Sequence, residues 1–239
     1  MDMNLKLGFF DIDGTLIRRS RTEGQSLKTR SINYAMEKVF DIAGIDYISI
    51  LGRQIYGMTD LTIMKKALIQ CGVDENRFYR NIDGLFRAID DYFDAHEDDG
   101  SRSDYTRLPA IDSFLSYLTA KKVRLGLVTG NIKRHSDWKM RNAGFDGYFL
   151  TGAFGDDAEN RWEIMAVAIE RNKDIPKELI CHFGDSPADL DAARRCGIRA
   201  VAISDGGGGT HSRVELEATC YGLVINSWND LSLIETYLS

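Results

Sequence analysis

Six short apolar stretches punctuate the chain: LGFFDI (7–12), VRLGLVTG (123–130), YFLTG (148–152), LICHFGD (179–185), IRAVAIS (198–204) and GLVINS (222–227). Runs this short that stay apolar at successive positions are strands buried on both faces. Where helical patterns of crossover length separate them, the sheet is parallel and covered on both sides. The pattern predicts an α/β fold with a doubly wound, Rossmann-like parallel sheet, and it puts the short YFLTG strand at an edge.

One interval breaks the rhythm. Between the first strand and the helix AIDSFLSYLTAKK (110–122) lie about ninety residues, far more than one crossover requires. Within them SLKTRSINYAMEKVF, DLTIMKKALIQCG and RNIDGLFRAIDDYFDAH carry apolar residues at helical spacing, which predicts a small α-helical domain inserted after the first strand. Its borders, RRSRTEGQS (18–26) and EDDGSRSDYTRLP (97–109), are polar and read as hinges. The expected division is a core of residues 1–19 and 98–239 and a helical insert of residues 20–97. The arginines of the entry segment, Arg18, Arg19 and Arg21, read as a solvated hinge rather than as a device for steering a phosphorylated ligand.

Composition narrows the function class. With 44% hydrophobic and 28% charged residues, three prolines and no apolar run of spanning length, the 239-residue chain is neither a membrane protein nor a disordered one. Its start, MDMNLKLGFF, lacks the basic opening and small-residue cleavage site of a secretory signal, so a cytoplasmic location is expected. A net charge of −6 argues against a general nucleic-acid binder and leaves a small anionic substrate open. Cys71, Cys181, Cys196 and Cys220 are far apart and form no CxxC pair, so reduced thiols are expected and zinc chemistry is not.

In an open parallel sheet, ligands bind outside the carboxyl ends of the strands. Polar residues collect at those ends: Asp11, Asp13, Gly14 and Thr15 after the first strand, Thr129, Gly130 and Asn131 after the second, and Gly184, Asp185, Ser186 and Asp189 after LICHFGD. The loop FGDDAENRWE adds Arg161. Singly, these pieces also fit a turn, a calcium-loop fragment or a helix cap. Together, at the ends of neighbouring strands, they fit one site. Period-two geometry points Asp11 and Asp13 the same way, and two such carboxylates need a cation beside them or a proton on one of them. Oxygen-only ligands that include Asp185 suit Mg²⁺.

The motifs DIDGT, LVTGN and GDSPADLDAA resemble motifs one, two and four of the haloacid dehalogenase superfamily, whose members mostly transfer phosphoryl groups. GFDGYFLTGAFGDDAENR and LPAIDSFLSYL resemble its phosphoglycolate-phosphatase-like branch, in which the insert is a mobile cap. The resemblance implies that Asp11 is the nucleophile and that Asp13 is the general acid and base. It further implies that Thr129 holds the phosphoryl oxygens with Thr15 and Asn131 nearby, and that Mg²⁺ is held by Asp11, Asp13 through its main-chain carbonyl, and Asp185, with Asp189 in support. The family often places a lysine at motif three. Here Arg161 is the best-placed cation, with Lys133 and Lys139 as alternatives.

LGRQIYGMTD resembles the cap stretch over the active site, which makes Thr59 and Arg53 candidate substrate contacts, while Asp60 reads as the cap of LTIMKKALIQ. SDGGGGTHS is not a phosphate-binding P-loop, since no GK[ST] follows, and Ser212 with Glu215 forms a capping-box pattern. The implied function is Mg²⁺-dependent hydrolysis of a small phosphate monoester, of phosphoglycolate or sugar-phosphate type, through an aspartyl-phosphate. A phosphomutase or dehalogenase of the same fold and a non-catalytic phospho-binding protein are the alternatives, and Asp13 counts against the dehalogenase. The motifs encode neither the metabolite nor the oligomeric state.

Overall fold

The computed structural model describes residues 3–20, 24–97, 105–145 and 147–239. Its strands are β1 (Leu7–Phe10), β2 (Ile17–Arg19), β3 (Tyr105–Arg107), β4 (Arg124–Val128), β5 (Thr151–Ala153), β6 (Ile180–Gly184), β7 (Arg199–Ile203) and β8 (Leu223–Ile225). Among the described residues, five α-helices lie between β2 and β3: α1 (Leu27–Phe40), α2 (Tyr47–Leu51), α3 (Asp60–Gln70), α4 (Glu75–Arg80) and α5 (Ile82–His96). The remainder are α6 (Ile111–Ala120), α7 (Lys133–Asn142), α8 (Arg161–Glu170), α9 (Pro187–Cys196), α10 (Arg213–Glu217) and α11 (Leu231–Leu238).

All six predicted strands are present. They form one parallel sheet in the order β5-β4-β1-β6-β7-β8, with the YFLTG strand at an edge. That strand is shorter than predicted and begins at Thr151, because Leu150 turns outward and is 82% exposed. Alternate residues of β1 face opposite layers. Leu7 and Phe9 pack with Ile164 and Met165 of α8 and Leu190 of α9. Phe10 packs with Phe114 of α6 and Trp138 of α7, in an apolar cluster that continues into Met36 and Phe93 of the inserted helices. Each such buried side chain stabilises the fold by about 1.5–3 kcal/mol relative to exposure.

The insert differs from the sequence expectation at its edges. Arg18 and Arg19 belong to β2, which pairs antiparallel with β3 through Ile17 with Arg107 and Arg19 with Tyr105. Arg18 and Arg19 of the first border and Tyr105–Arg107 of the second therefore form a two-stranded stem. Arg21 and residues 98–104 lie outside the described residues. Three-residue strands with one buried position each carry too little periodicity to be read locally, and their pairing joins segments some ninety residues apart.

Candidate active site

Strand register builds the site. Phe10 of β1 is level with Leu127 of β4 on one side and Phe183 of β6 on the other. The residues that follow these three, around Asp11, Thr129 and Asp185, therefore come out side by side. The Asp11 amide still donates to the Phe183 carbonyl at 2.9 Å, so the nucleophile candidate sits on the last rung of the ladder. The chain then turns sharply at Gly14, whose φ is +75° and where a Cβ would lie 2.0 Å from Asp185 Oδ2. Only glycine permits both that backbone and that approach.

Asp11, Asp185 and Asp189 can each bring one carboxylate oxygen within 4.8 Å of the others, and all three are buried. Burial pushes the carboxyls of Asp11 and Asp185 up, and the neighbouring carboxylates add to the rise; Arg161 counters it at Asp11. Thr210 donates to Asp185 Oδ2 through its amide (2.7 Å) and its hydroxyl (2.5 Å), which leaves Oδ1 for a cation. A crowded, all-oxygen donor set of this kind fits a hard divalent cation such as Mg²⁺.

Arg161, the first residue of α8, places Nη1 3.1 Å from Asp11 Oδ1 and 2.7 Å from Asp189 Oδ1. Burial opposes its charge, but the two carboxylates hold it firmly protonated. Asp189 is engaged at both oxygens: Oδ1 meets Arg161 and His182, and Oδ2 accepts from the Ser186 hydroxyl (2.5 Å) and amide (3.1 Å). Its carboxyl lies well below the usual range, because Arg161, His182 and Ser186 outweigh burial.

Asp13 has different company. Its Oδ2 accepts from Lys139 Nζ at 2.5 Å and from Asn131 Nδ2 at 2.9 Å. Burial would raise this carboxyl, but Lys139 and Lys28 bring it down. Asn131 also donates to Thr129 Oγ1 and accepts from Lys139 (2.8 Å) and Lys28 (2.6 Å). Lys28 continues to Asp60 Oδ1 at 2.5 Å, and Asp60 Oδ2 accepts from the Ile132 amide (3.0 Å) and meets His135 Nδ1 (2.6 Å). A buried polar chain thus runs from the inserted helices α1 and α3, through α7, to the loop after β1.

The other sequence candidates are distributed unequally. Thr129 is fully buried beneath the site, where its hydroxyl accepts from Asn131 and helps to hold the Asp11 carboxyl down. The side chain of Thr15 is buried away from the cavity, and its carbonyl accepts from Trp228 Nε1 at 3.2 Å. Thr59, not Asp60, caps α3: its hydroxyl accepts from the Thr62 amide and donates to the Glu159 carbonyl at 2.8 Å. That hydroxyl is fully engaged, and Thr59 does not line the cavity. Arg53 is exposed outside the cavity on the side of Glu215, so neither residue is placed against a substrate. Lys133 pairs with Asp137 at the surface, and Lys139 serves Asp13 rather than Asp11. Sequence reasoning missed Lys28, Asp60, His135 and Thr210 as site residues. Thr210 had a signal, a hydroxyl residue just past β7 on the same sheet edge. Ser212 and Glu215 do form the capping box of α10.

The charged groups open on a cavity of 410 Å³ lined by Asp11, Asp13, Asn131, Lys28, Lys139, Arg161 and Asp185 at its base, and by residues of β2 and of the insert above. The profile of the haloacid dehalogenase-like hydrolases matches residues 9–203. The chain belongs to that family. Within it, a phosphorylated carbohydrates phosphatase of Thermotoga maritima is 27% identical over 96 residues, 39% of this chain and 44% of that protein. A phosphoglycolate phosphatase of Synechococcus elongatus is 23% identical over 130 residues, 54% of this chain and 59% of that protein. The match thus spans about half the length of these relatives. Among solved structures, a predicted phosphatase of Clostridium acetobutylicum has the same fold, with a TM-score of 0.66 at 21% identity over 95% of this chain and 96% of that one. The acidic residues here stand at the carboxyl edge of the parallel sheet. No helix among the described residues is long and apolar enough to cross a membrane.

Proposed function

We propose that this haloacid dehalogenase-like hydrolase is a Mg²⁺-dependent phosphatase that hydrolyses a small phosphate monoester through an aspartyl-phosphate on Asp11. In this reading residues 1–19 and 98–239 act as the catalytic core, residues 20–97 as a cap over the cavity, and the protein works in the cytoplasm. The observation that carries the reading is the unequal setting of two carboxylates of one loop: Asp11 lies in the carboxylate cluster beside Arg161, and Asp13 stands apart on Lys139 and Asn131 at the same cavity. A division of labour between attack and proton transfer needs that asymmetry.

Asp11, Asp185 and the main-chain carbonyl of Asp13 would hold Mg²⁺, which neutralises charge on the transferring phosphoryl group. Arg161 shares that electrostatic task and keeps the Asp11 oxygen aimed. An Asp11 carboxylate oxygen attacks phosphorus, and the bond to the ester oxygen breaks with its electron pair on the leaving alcohol, which takes a proton from Asp13. The incoming dianion raises the proton affinity of Asp13, so the residue can carry that proton when substrate is bound. Asp13, now ionised and returned to Lys139, draws a proton from water. The resulting hydroxide attacks the aspartyl-phosphate, releasing phosphate and restoring Asp11. Asp189 acts by fixing Arg161 and the loop of Asp185.

The decisive experiment is a screen of phosphorylated metabolites for phosphate release with Mg²⁺ and with chelator, repeated with Asp11→Asn. Release that needs both the metal and Asp11 supports the reading. Binding without turnover would make the protein a phospho-ligand binder, and phosphate retained on a sugar would make it a mutase.

A further inference from the structure

Among the described residues, the cations that line the cavity are Arg18 and Arg19 of β2, Lys28, Lys139 and Arg161. Three of them are matched by carboxylates. Lys28 meets Asp60 at 2.5 Å, Lys139 meets Asp13 at 2.5 Å, and Arg161 meets Asp11 at 3.1 Å and Asp189 at 2.7 Å. Arg19 Nη2 donates to the Gly24 carbonyl at 2.8 Å. Arg18 differs from these four, because among the described residues no carboxylate and no hydrogen-bond acceptor meets its side chain. The carboxylates of the lining, Asp11, Asp13 and Asp185, all belong to the base, so the wall around Arg18 offers it none.

The position of Arg18 is set by the backbone. Along the chain it reads as part of a solvated hinge, but β2 pairs with β3 there, Arg18 level with Thr106, and the pairing fixes the strand on the cavity wall. Arg18 and Gly208 also line a neighbouring recess of 360 Å³, whose wall includes Asp205, Asn226 and Ser227. Arg18 thus stands where cavity and recess meet, and the Asp205 carboxylate keeps an anion on the cavity side of the guanidinium. The insert places a second donor on this wall. Tyr56 is 52% exposed, lines the cavity and stands edge-on to His211 of the loop after β7, with ring centroids 6.4 Å apart. Its hydroxyl makes no hydrogen bond among the described residues. A guanidinium without a partner binds a carboxylate or phosphate through two parallel hydrogen bonds. Since the whole chain carries a net charge of −6, any preference for anions must come from such a local group rather than from the protein's overall field.

We infer that the leaving alcohol of the substrate carries a second anionic group, a carboxylate or a phosphate, and that Arg18 binds it. This rests on the phosphatase reading and names its substrate class. The test compares kcat/KM of the full chain with Mg²⁺ within two matched pairs: 3-phosphoglycerate against glycerol 3-phosphate, and fructose 1,6-bisphosphate against fructose 6-phosphate. The expected result is a preference of tenfold or more for the ester with the second anion in at least one pair, carried by KM. The pair that shows it tells carboxylate from phosphate. Arg18→Gln should bring that ratio down to within about threefold of unity, and Arg18→Lys should keep more of it, since charge survives without the bidentate geometry. Equal use of both members in both pairs overturns the inference and leaves the phosphatase reading standing, and so does a preference that Arg18→Gln leaves unchanged. No turnover of any of the esters by the wild-type protein overturns both.

Discussion

Arg161 Nη1 lies 3.1 Å from Asp11 Oδ1, although 150 residues separate the two in the chain. The contact exists because α8 begins at Arg161 directly after a loop that the insert grips. The Glu159 carbonyl accepts from Thr59, and its carboxylate meets Lys65 (2.9 Å) and Tyr79 (2.7 Å). The cation beside Asp11, the proposed nucleophile, is thereby held from two sides, by Asp189 in the core and by the insert through Glu159.

Arg161→Ala should lower kcat/KM on the order of 10²-fold, as for loss of one preorganised electrostatic donor. Arg161→Lys should retain a substantial part, since charge survives while the spread of the guanidinium does not. Steady-state kinetics on any accepted ester decides it. Wild-type behaviour of the alanine variant would remove Arg161 from the mechanism.

Asp11→Asn and Asp185→Asn should each abolish most activity by different routes. Raising Mg²⁺ should partly restore Asp185→Asn only, because that change weakens metal binding while Asp11→Asn deletes the nucleophile. A Mg²⁺ titration of both variants checks this, and equal rescue would contradict the assigned roles.

Gly14→Ala should damage the site through the backbone. A Cβ there would overlap Asp185 Oδ2 at 2.0 Å and would force a left-handed φ of +75° on alanine. We expect a stability loss of about 1–3 kcal/mol together with weakened Mg²⁺ binding, measured by urea unfolding and by calorimetric titration. A variant that binds Mg²⁺ like the wild type would show that the Asp185 approach is not required.

Stability should fall with acid in two windows that report the buried Asp60–His135 contact. Burial lowers the His135 imidazole, so the folded chain resists a proton that the unfolded chain accepts below about pH 6.5. Its contribution is therefore complete above that pH and is lost as pH falls through it. Burial alone would raise Asp60, but Lys28 and His135 hold it well below its ordinary value. Its contribution is present above about pH 4 and is lost as pH falls further. Asp60→Asn should cost about 3–5 kcal/mol at neutral pH, since it leaves Lys28 without its buried partner. The gap from wild type should narrow below pH 4 in urea unfolding series.

Much of this was legible along the chain because the physics involved is local. A strand buried on both faces must be apolar at successive positions, so β1, β4, β6, β7 and β8 announce themselves, and carboxylates at their ends stand out against that background. DIDGT and GDSPADLDAA carry their backbone demands with them, a glycine at the tight turn and a serine that caps α9. Which residues end the central strands was therefore readable, and so was the class of chemistry that oxygen ligands favour.

What the sequence could not decide is which side chains of the insert meet the core. Lys28 reaches Asn131 across 103 residues and Asp60 reaches His135 across 75. Thr59 and Arg53, read as substrate contacts, are turned elsewhere, and Tyr56 lines the cavity instead. Periodicity determines that a helix is amphipathic and which residues share its stripe. The angle at which that helix is set on the sheet follows from the packing of the joint apolar cluster around Phe10, Met36, Phe93 and Trp138, a property of all those side chains at once. The sequence by itself determined the parallel sheet and the acidic edge that carries the candidate site, since each strand carries its own burial pattern. Only the tertiary structure decided what covers that edge, since the cover depends on contacts between segments that have no pattern in common.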